Sequence, residues 1–257
     1  MVTSVKTMAW EKPLLIIFLF LIHLISDVIV KLWLCWNLFR KHLSRRFSNS
    51  INNDFQAVQE DSTKLSKTPN HIAFALLESS ISIKDVAYLV LWSIACGAKG
   101  ISLYDIKGYL KYHQEELEKQ VMHLVKHLKY EPCYINWNGI VANSNDDFTI
   151  CLFSKEDGQE DIVQAARKLA RHVANGNLKV DDVNESVIEA NLGSANKGLP
   201  DPEVLLRFGL AHSNQGYPPW QIRLSEIHDI DSHHGVTYLD FLNILSKYSR
   251  CEKRFGC

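Results

Sequence analysis

The chain has 257 residues, of which 46% are hydrophobic and 22% charged, so it is long enough for one sizeable domain and additional segments. Its 28 basic and 29 acidic residues give a formal net charge of −1, which argues against a general nucleic-acid binder. Six cysteines are scattered without a Cys-x-x-Cys pair, which argues against a zinc site and a disulfide framework and favours a reducing compartment.

An apolar stretch near the N-terminus predicts a transmembrane anchor over residues 14–39. It begins with the unbroken run LLIIFLFLI and is long enough to cross a bilayer. Trp33 and Trp36 are typical of a membrane interface, and no small-residue cleavage pattern of a signal peptide follows. Asp27 and Lys31 leave a shallow or tilted insertion open. More basic residues follow the stretch than precede it, which predicts a single pass with the C-terminal part in the cytosol.

Polar segments flank this anchor. Residues 1–13 form a short N-terminal segment, and residues 40–69 form a basic and polar linker. The stretch SNSINNDFQAVQEDSTKLSKTPN, residues 48–70, contains few large apolar side chains, too few to offset the entropy lost on ordering. We therefore expect a tether there.

Residues 70–257 alternate between short apolar runs and helical patterns. The predicted strands cover residues 71–77, 100–105, 147–153 and 203–209, and the predicted helices cover residues 83–97, 109–129, 160–176 and 238–254. Thr237 and Asp240 have the spacing of an N-terminal cap before the last helix. This order predicts an α/β domain with a mainly parallel central sheet flanked by helices.

Functional residues of such a fold lie at the carboxyl ends of the strands. The turn after the first strand, ESSISI, has no glycine, and Glu78 would repel a diphosphate unless a metal intervened. His123 and His127 have a metal-sharing spacing but lack the glutamate of a zincin helix, which favours ordinary histidines. His233 and His234 lie in a polar turn typical of a loop, with metal ligation as the alternative. The sequence contains no P-loop, dinucleotide fingerprint or nucleophile elbow.

Five segments in order, NHIAFALLESS, CGAKGISLYD, LLRFG, WQIRLSEI and the closing RFG, resemble the cis-prenyltransferase superfamily across residues 70–257. Its catalytic members carry an Asp-Gly-Asn-Arg signature after the first strand, where the aspartate handles magnesium and the allylic diphosphate. In this sequence the signature positions are occupied by Leu77, Glu78, Ser79 and Ser80. The resemblance therefore implies that the catalytic aspartate is lost and that this chain holds no metal.

Catalytic members also clamp isopentenyl diphosphate with two arginines and a serine. Arg207 is retained, but Ser213 and Gln215 occupy the positions of the second arginine and the serine, so the resemblance implies that the clamp is largely lost. Glu226 occupies the position of the metal-associated glutamate. We expect it to be inherited scaffold, with residual metal ligation as the alternative.

This pattern of loss is most similar to the Nogo-B receptor family, the membrane-anchored, non-catalytic subunit of the dehydrodolichyl diphosphate synthase complex in the endoplasmic reticulum. The resemblance implies a chain that is inactive alone and activates a catalytic partner, which binds the Mg²⁺. It also implies that Arg254, Phe255 and Gly256 reach into the partner's active site to hold isopentenyl diphosphate. A planar guanidinium and a bare glycine N–H suit a diphosphate. Cys257 receives no role.

The same resemblance places the dimer interface on the last helix and the strand region PPWQIRLSEI, with core packing as the alternative for its apolar residues. The candidates are Trp220, Leu239, Leu242, Leu245 and Tyr248. Product length, dolichol-type or rubber-type polyisoprene, stays open. Two other hypotheses are a membrane receptor or scaffold without a role in prenyl transfer, and a self-sufficient synthase with a metal site built from Glu226 and His233 or His234.

Overall fold

The computed structural model describes residues 15–29, 31–32, 51–126, 135–138, 148–193, 199–210 and 213–252. The chain divides into two compact units, Met1–Phe47 and Ser48–Cys257. In the first unit residues 15–29 are helical, and each residue from Leu15 to Ile22 is 47–68% exposed, so apolar side chains cover every face of this helix. Among the described residues, no helix is both long enough and apolar enough to cross a membrane. Residues 14, 30 and 33–39 of the predicted anchor lie outside the described ranges.

A six-stranded sheet forms the centre of the second unit. All of its neighbouring strands are parallel, in the order β3-β4-β2-β1-β5-β6. The strands are β1 (His71–Leu76), β2 (Gly100–Asp105), β3 (Ile135–Trp137), β4 (Phe148–Phe153), β5 (Val204–Phe208) and β6 (Glu226–Ile230). The predicted parallel α/β domain is therefore confirmed.

Helices connect and cover these strands. They are α1 (Ile51–Ser62), α2 (Ile83–Ala95), α3 (Tyr109–Tyr112), α4 (Gln114–Lys126), α5 (Gln159–Ala174), α6 (Glu185–Glu189) and α7 (Tyr238–Arg250), with 3₁₀ turns at Lys155–Asp157 and Val180–Asp182. Thr237 caps α7 together with Asp240 in a capping box, as its sequence spacing predicts.

The strand alternation divides the core between the two faces of the sheet. Ile72, Phe74 and Leu76 of β1 join a cluster with the apolar residues of α1, α2, α4 and α7, and the rings of Phe74, Phe208 and Phe241 stack within it. Ala73 and Ala75 face the opposite side, in a smaller cluster with Tyr104, Phe153 and Tyr217. Both faces of the sheet are covered, so β1, β5 and β6 can present polar groups only where the strands end. We call this end of the sheet, formed by the carboxyl ends of the parallel strands, the carboxyl-terminal edge.

The expected tether is wrong from residue 51 onward. Residues Ile51–Ser62 form α1, and Phe55 (4% exposed) and Val58 (0%) belong to the main core, where α1 contacts α2 and α7. The segment is polar overall because α1 buries only one narrow face. Two large apolar side chains at i and i+3 are enough to hold a helix against an existing core.

Two predicted helices also have different boundaries. The predicted helix over 109–129 breaks at His113 into α3 and α4, and the last helix ends at Arg250 instead of continuing to residue 254. The strand β3 was not predicted, and the predicted strand region PPWQIRLSEI, residues 218–227, overlaps β6 only at Glu226 and Ile227. β6 is a polar edge strand, EIHDI, whose residues are half-buried or exposed, so it lacks the continuous apolar run of the central strands.

Candidate functional site

The carboxyl end of β1 contains no carboxylate at the position of the missing aspartate. Leu77 occupies it, and its backbone N–H donates to the carbonyl of Phe208 at 2.9 Å, which continues the β1–β5 pairing by one residue. The Leu77 side chain packs against the smaller core cluster. Ser79 and Ser80 are exposed in the turn that follows. The side chain of Leu77 therefore offers no oxygen ligand for magnesium.

Glu78 instead connects the carboxyl-terminal edge to the turn before α7. Its carboxylate accepts the backbone N–H of His233 at 2.9 Å and also contacts Nδ1 of the His233 ring. Burial alone would raise the pKa of Glu78, but hydrogen bonds from the His233 ring, Ser232 and the His233 N–H outweigh it and lower the pKa from 4.5 to about 2. Glu78 is thus an ionised, structural carboxylate.

Glu78, His233 and His234 are the only described residues that form a possible metal-ligand group, with ligand atoms within 4.8 Å of one another. The hydrogen bonds do not fit a metal. The backbone N–H of Ser82 donates to Nε2 of His233 at 2.9 Å, so the neutral ring carries its proton on Nδ1, where it donates to Glu78. Both ring nitrogens of the fully buried His233 are therefore occupied, and a metal would have to displace a hydrogen bond.

The Glu78–His233 pair should make stability depend on pH in a defined direction. Because the folded-state pKa of Glu78 lies below its ordinary value, the ionised carboxylate stabilises the fold above pH 4.5, and this contribution is lost as the pH falls toward about 2. We expect Glu78→Gln to reduce the unfolding free energy by about 1–3 kcal/mol at pH 7, the range for a charge-assisted buried hydrogen bond. The difference from the unchanged protein should shrink below pH 4.5.

Urea unfolding at pH 7, 5 and 3.5 measures this difference. Glu116→Gln is the matched control, because Glu116 is exposed on α4. A Glu78→Gln difference that is constant over this range would contradict the assigned ionisation.

The retained Arg207 is neutralised by its own neighbours. It is paired in register with Asp229 of β6, and its Nε and NH2 donate to the two Asp229 carboxylate oxygens at 2.7 and 3.0 Å. Its NH1 donates to the side-chain oxygen of Asn214 at 3.1 Å. The Arg207 side chain is only 13% exposed. A fork that is already bidentate on an internal carboxylate offers little to a diphosphate.

The loop of Ser213 and Gln215 is shaped by packing instead of by ligand binding. Ser213 is exposed, whereas the backbone carbonyl of Gln215 accepts the hydroxyl of buried Tyr104 at 2.6 Å, with Gln215 in a left-handed conformation at φ 42°. At Gly158 an added Cβ would lie 2.0 Å from the carbonyl oxygen of Gly216, so this loop sits directly against the start of α5.

A buried polar chain fixes the end of the same loop. The hydroxyl of Tyr217 lies 2.8 Å from Oγ of Ser102, which lies 2.9 Å from Nε2 of His71. Nδ1 of His71 donates to the carbonyl of Pro200. Burial lowers the pKa of His71 to about 4, so this histidine is neutral and the chain of hydrogen bonds is complete without a ligand.

Other polar groups at the carboxyl-terminal edge are also engaged. Asp105, at the end of β2, accepts the backbone N–H groups of Tyr109 and Leu110 at 2.7 and 3.0 Å and so caps α3. Lys111 is paired with Asp157 after β4 and donates to Ser154 at 3.1 Å. The edge where related folds bind ligands is thus occupied by internal hydrogen bonds.

Glu226 lies at the amino-terminal end of its strand, away from the carboxyl-terminal edge. It is the first residue of β6, about 13 Å from the last at about 3.3 Å per residue, whereas His233 and His234 follow the carboxyl end. The hypothesis of a metal site built from Glu226 and His233 or His234 is therefore wrong for a single chain. Oε1 of Glu226 lies 2.8 Å from Nε2 of His228 on the same strand.

The interface candidates divide into two groups. Leu245 (0% exposed) and Tyr248 (3%) are core residues, which confirms for them the alternative of core packing and removes them from a partner surface. Leu239 is 51% exposed, and Trp220 and Leu242 are half-buried, so these three can contact a partner. Residues 218–225 form turns, and the strand itself begins only at Glu226.

The predicted Arg254, Phe255 and Gly256 lie outside the described residues, as does Cys257. His127 also lies outside them, whereas His123 is on α4. Sequence analysis missed Asp229, Asn214 and the Glu78–His233 pair.

Comparison with known proteins places this chain in a family. A family model described as "Putative undecaprenyl diphosphate synthase" matches residues 110–256. A mouse protein described as "Dehydrodolichyl diphosphate synthase complex subunit Nus1" is 34% identical over 206 residues, covering 76% of this chain and 68% of that protein. The corresponding Saccharomyces cerevisiae subunit is 28% identical over 276 residues, covering 89% and 72%.

Solved structures agree at the level of the fold. Lavandulyl diphosphate synthase from Lavandula x intermedia superposes with a TM-score of 0.56 at 21% identity, covering 74% of this chain and 98% of that one. The parallel sheet and the family match together define a prenyltransferase-type domain. The chain belongs to the prenyltransferase family of that model and, within it, to the group of dehydrodolichyl diphosphate synthase complex subunits.

Proposed function

We propose that this chain is the non-catalytic, activating subunit of a heteromeric cis-prenyltransferase, which condenses isopentenyl diphosphate onto an allylic diphosphate to form a long-chain polyprenyl diphosphate. Its relatives are named as subunits of the dehydrodolichyl diphosphate synthase complex, a name that supports a catalytic cis-prenyltransferase as the partner. The product is of the dolichol or the rubber type.

One observation carries this proposal. The only charged clamp residue that the chain retains at its carboxyl-terminal edge, Arg207, is bound bidentately by Asp229, and Leu77 occupies the place of the metal-binding aspartate. Diphosphate chemistry needs unpaired positive charge and a metal ligand at the site of charge development. Because the described positions of Arg207 and Leu77 supply neither, they support a role through a second chain, which binds the Mg²⁺.

The contribution of this chain to the reaction is assigned to Arg254, Phe255 and Gly256. A guanidinium and a glycine N–H, placed in the partner's site, would hold the diphosphate of isopentenyl diphosphate and stabilise negative charge as the allylic diphosphate departs. Exposed apolar residues Leu224, Ile227 and Leu239 support a partner surface on β6 and the start of α7.

The membrane part of the proposal rests on the N-terminal segment. A helix whose apolar side chains are exposed on every face suits a hydrocarbon environment. We propose that residues 14–39 anchor the complex in the endoplasmic reticulum membrane as a single pass, with the C-terminal domain cytosolic, and so tether the catalytic subunit there.

Reconstitution tests the proposed function. This chain alone, a catalytic homologue from the same organism alone, and the two co-expressed are assayed for incorporation of labelled isopentenyl diphosphate with Mg²⁺. We expect no synthesis by this chain alone and about 10- to 100-fold more synthesis by the pair than by the homologue alone. Synthesis that is indifferent to this chain would refute the proposal and favour a receptor or scaffold role.

A further inference from the structure

The end of α7 is held by the loop that connects α1 to β1. Oγ of Ser66 donates to the backbone carbonyl of Ser249 at 2.6 Å. The ammonium group of Lys67 donates to the carbonyl of Cys251 and lies 4.6 Å from the centroid of the Tyr248 ring. These contacts join residues more than 180 positions apart in the sequence.

Each contact is suited to a helix C-terminus. The last carbonyl groups of a helix have no partner within the helix and carry the negative end of its dipole, so a lysine donor there stabilises the last turn. Cys251 already has an extended conformation, φ −77° and ψ 127°, and its N–H bonds back to Tyr248 at 3.0 Å. Lys67 therefore binds the chain where it leaves the helix.

A second connection holds the last turn of α7. The buried Tyr248 donates its hydroxyl to the carboxylate of Glu203, which also accepts the backbone N–H of Asn70. Ser66, Lys67 and Glu203 thus surround the segment from Tyr248 to Cys251. We call these three residues the C-terminal clasp.

We infer that the C-terminal clasp positions the residues after Cys251 for the partner's active site, and that Lys67 is its principal positioning residue. This inference rests on the proposed function of Arg254. Arg254 follows Cys251 by three positions, with only two residues between them, so the connection spans at most about 10 Å. With so short a connection, the place where the chain leaves α7 determines the effective concentration of the guanidinium in the partner's site.

Loss of the clasp would release the last turn and allow α7 to fray. We expect Lys67→Ala to reduce kcat of the assembled complex by about 3- to 10-fold, as expected for the loss of a single capping interaction. Lys67→Arg, which keeps a cationic donor, should restore most of the turnover. Lys64→Ala is the matched control, because Lys64 is an exposed lysine paired only locally with Asp61 and should leave turnover unchanged.

A double-mutant cycle in the full complex separates positioning from stability. If Lys67 acts through Arg254, Lys67→Ala lowers kcat in the unchanged complex but adds nothing in the Arg254→Ala background. An equal reduction in both backgrounds would mean a merely structural role and overturn the inference. Assembly and melting temperature are measured on the same samples.

The cycle also distinguishes this inference from the proposed function. If Arg254→Ala lowers kcat but Lys67→Ala does not, the clasp does not position the C-terminus and only the inference fails. If Arg254→Ala leaves kcat unchanged, the proposed role of the C-terminal residues fails, and the inference fails with it.

Discussion

Replacing Arg254 with alanine is expected to reduce kcat of the assembled complex by about 100-fold, the effect of removing one preorganised group from a site of developing negative charge. The reason lies in the rest of the domain. Arg207 is bound by Asp229 and Asn214, so its guanidinium is not available to substitute for that of Arg254. The heteromeric complex should still form, because the substitution leaves the exposed apolar residues of the proposed partner surface, Leu224 and Leu239, unchanged.

Steady-state kinetics with both diphosphates and size-exclusion chromatography of the same samples measure these two effects. Arg250→Ala is the control, since Arg250 is exposed at the end of α7 and contacts only the Ser246 side chain of its own helix among the described hydrogen bonds. Arg254→Lys should recover only part of the turnover, because lysine keeps the charge but not the bidentate fork. Full turnover in Arg254→Ala would remove Arg254 from the reaction.

The central part of the fold was predictable because parallel strands covered on both faces form continuous apolar runs. HIAFAL and FTICLF are such runs, and each became a fully buried strand. The strand β6 could not be recognised in the same way. Its sequence, EIHDI, is polar because it lies at the sheet edge, and its identity as a strand depends on pairing with β5.

The candidate site was predictable only for its losses. The resemblance identified Leu77 in place of the catalytic aspartate, because a lost residue can be recognised from one sequence position. The replacement contacts depend on tertiary structure: Glu78 and His233 are separated by 155 positions, and Arg207 meets Asp229 through strand register. A signal for the second pair existed, since a retained arginine in a buried strand requires a counter-charge.

The two edges of the sheet therefore have different roles. The carboxyl-terminal edge, where a catalytic relative would bind substrate, is closed by internal pairs such as Glu78 with His233. The amino-terminal ends of β1 and β5 carry the C-terminal clasp, where Lys67 and Glu203 hold the end of α7. The chain thus has the fold of the prenyltransferase family, while the described carboxyl-terminal edge is filled by internal contacts.

Replacing Phe55 with alanine is expected to lower the unfolding free energy by about 3–5 kcal/mol, the usual cost of removing a buried phenyl ring from a core. Phe55 is 4% exposed and belongs to the main core cluster, and α1 contacts both α2 and α7. A cavity at this place would weaken the packing of three helices together. The expected loss is large because α1 is part of the domain and not a tether.

Urea unfolding followed by far-ultraviolet circular dichroism measures the loss, with Gln56→Ala as the control. Gln56 is the next residue of α1 and is exposed, so its replacement keeps the helix and removes no core contact. The control should change the free energy by no more than about 0.5 kcal/mol. If Phe55→Ala also stayed within that range, α1 would contribute nothing to the core, and the polar composition of residues 48–70 would after all indicate a tether.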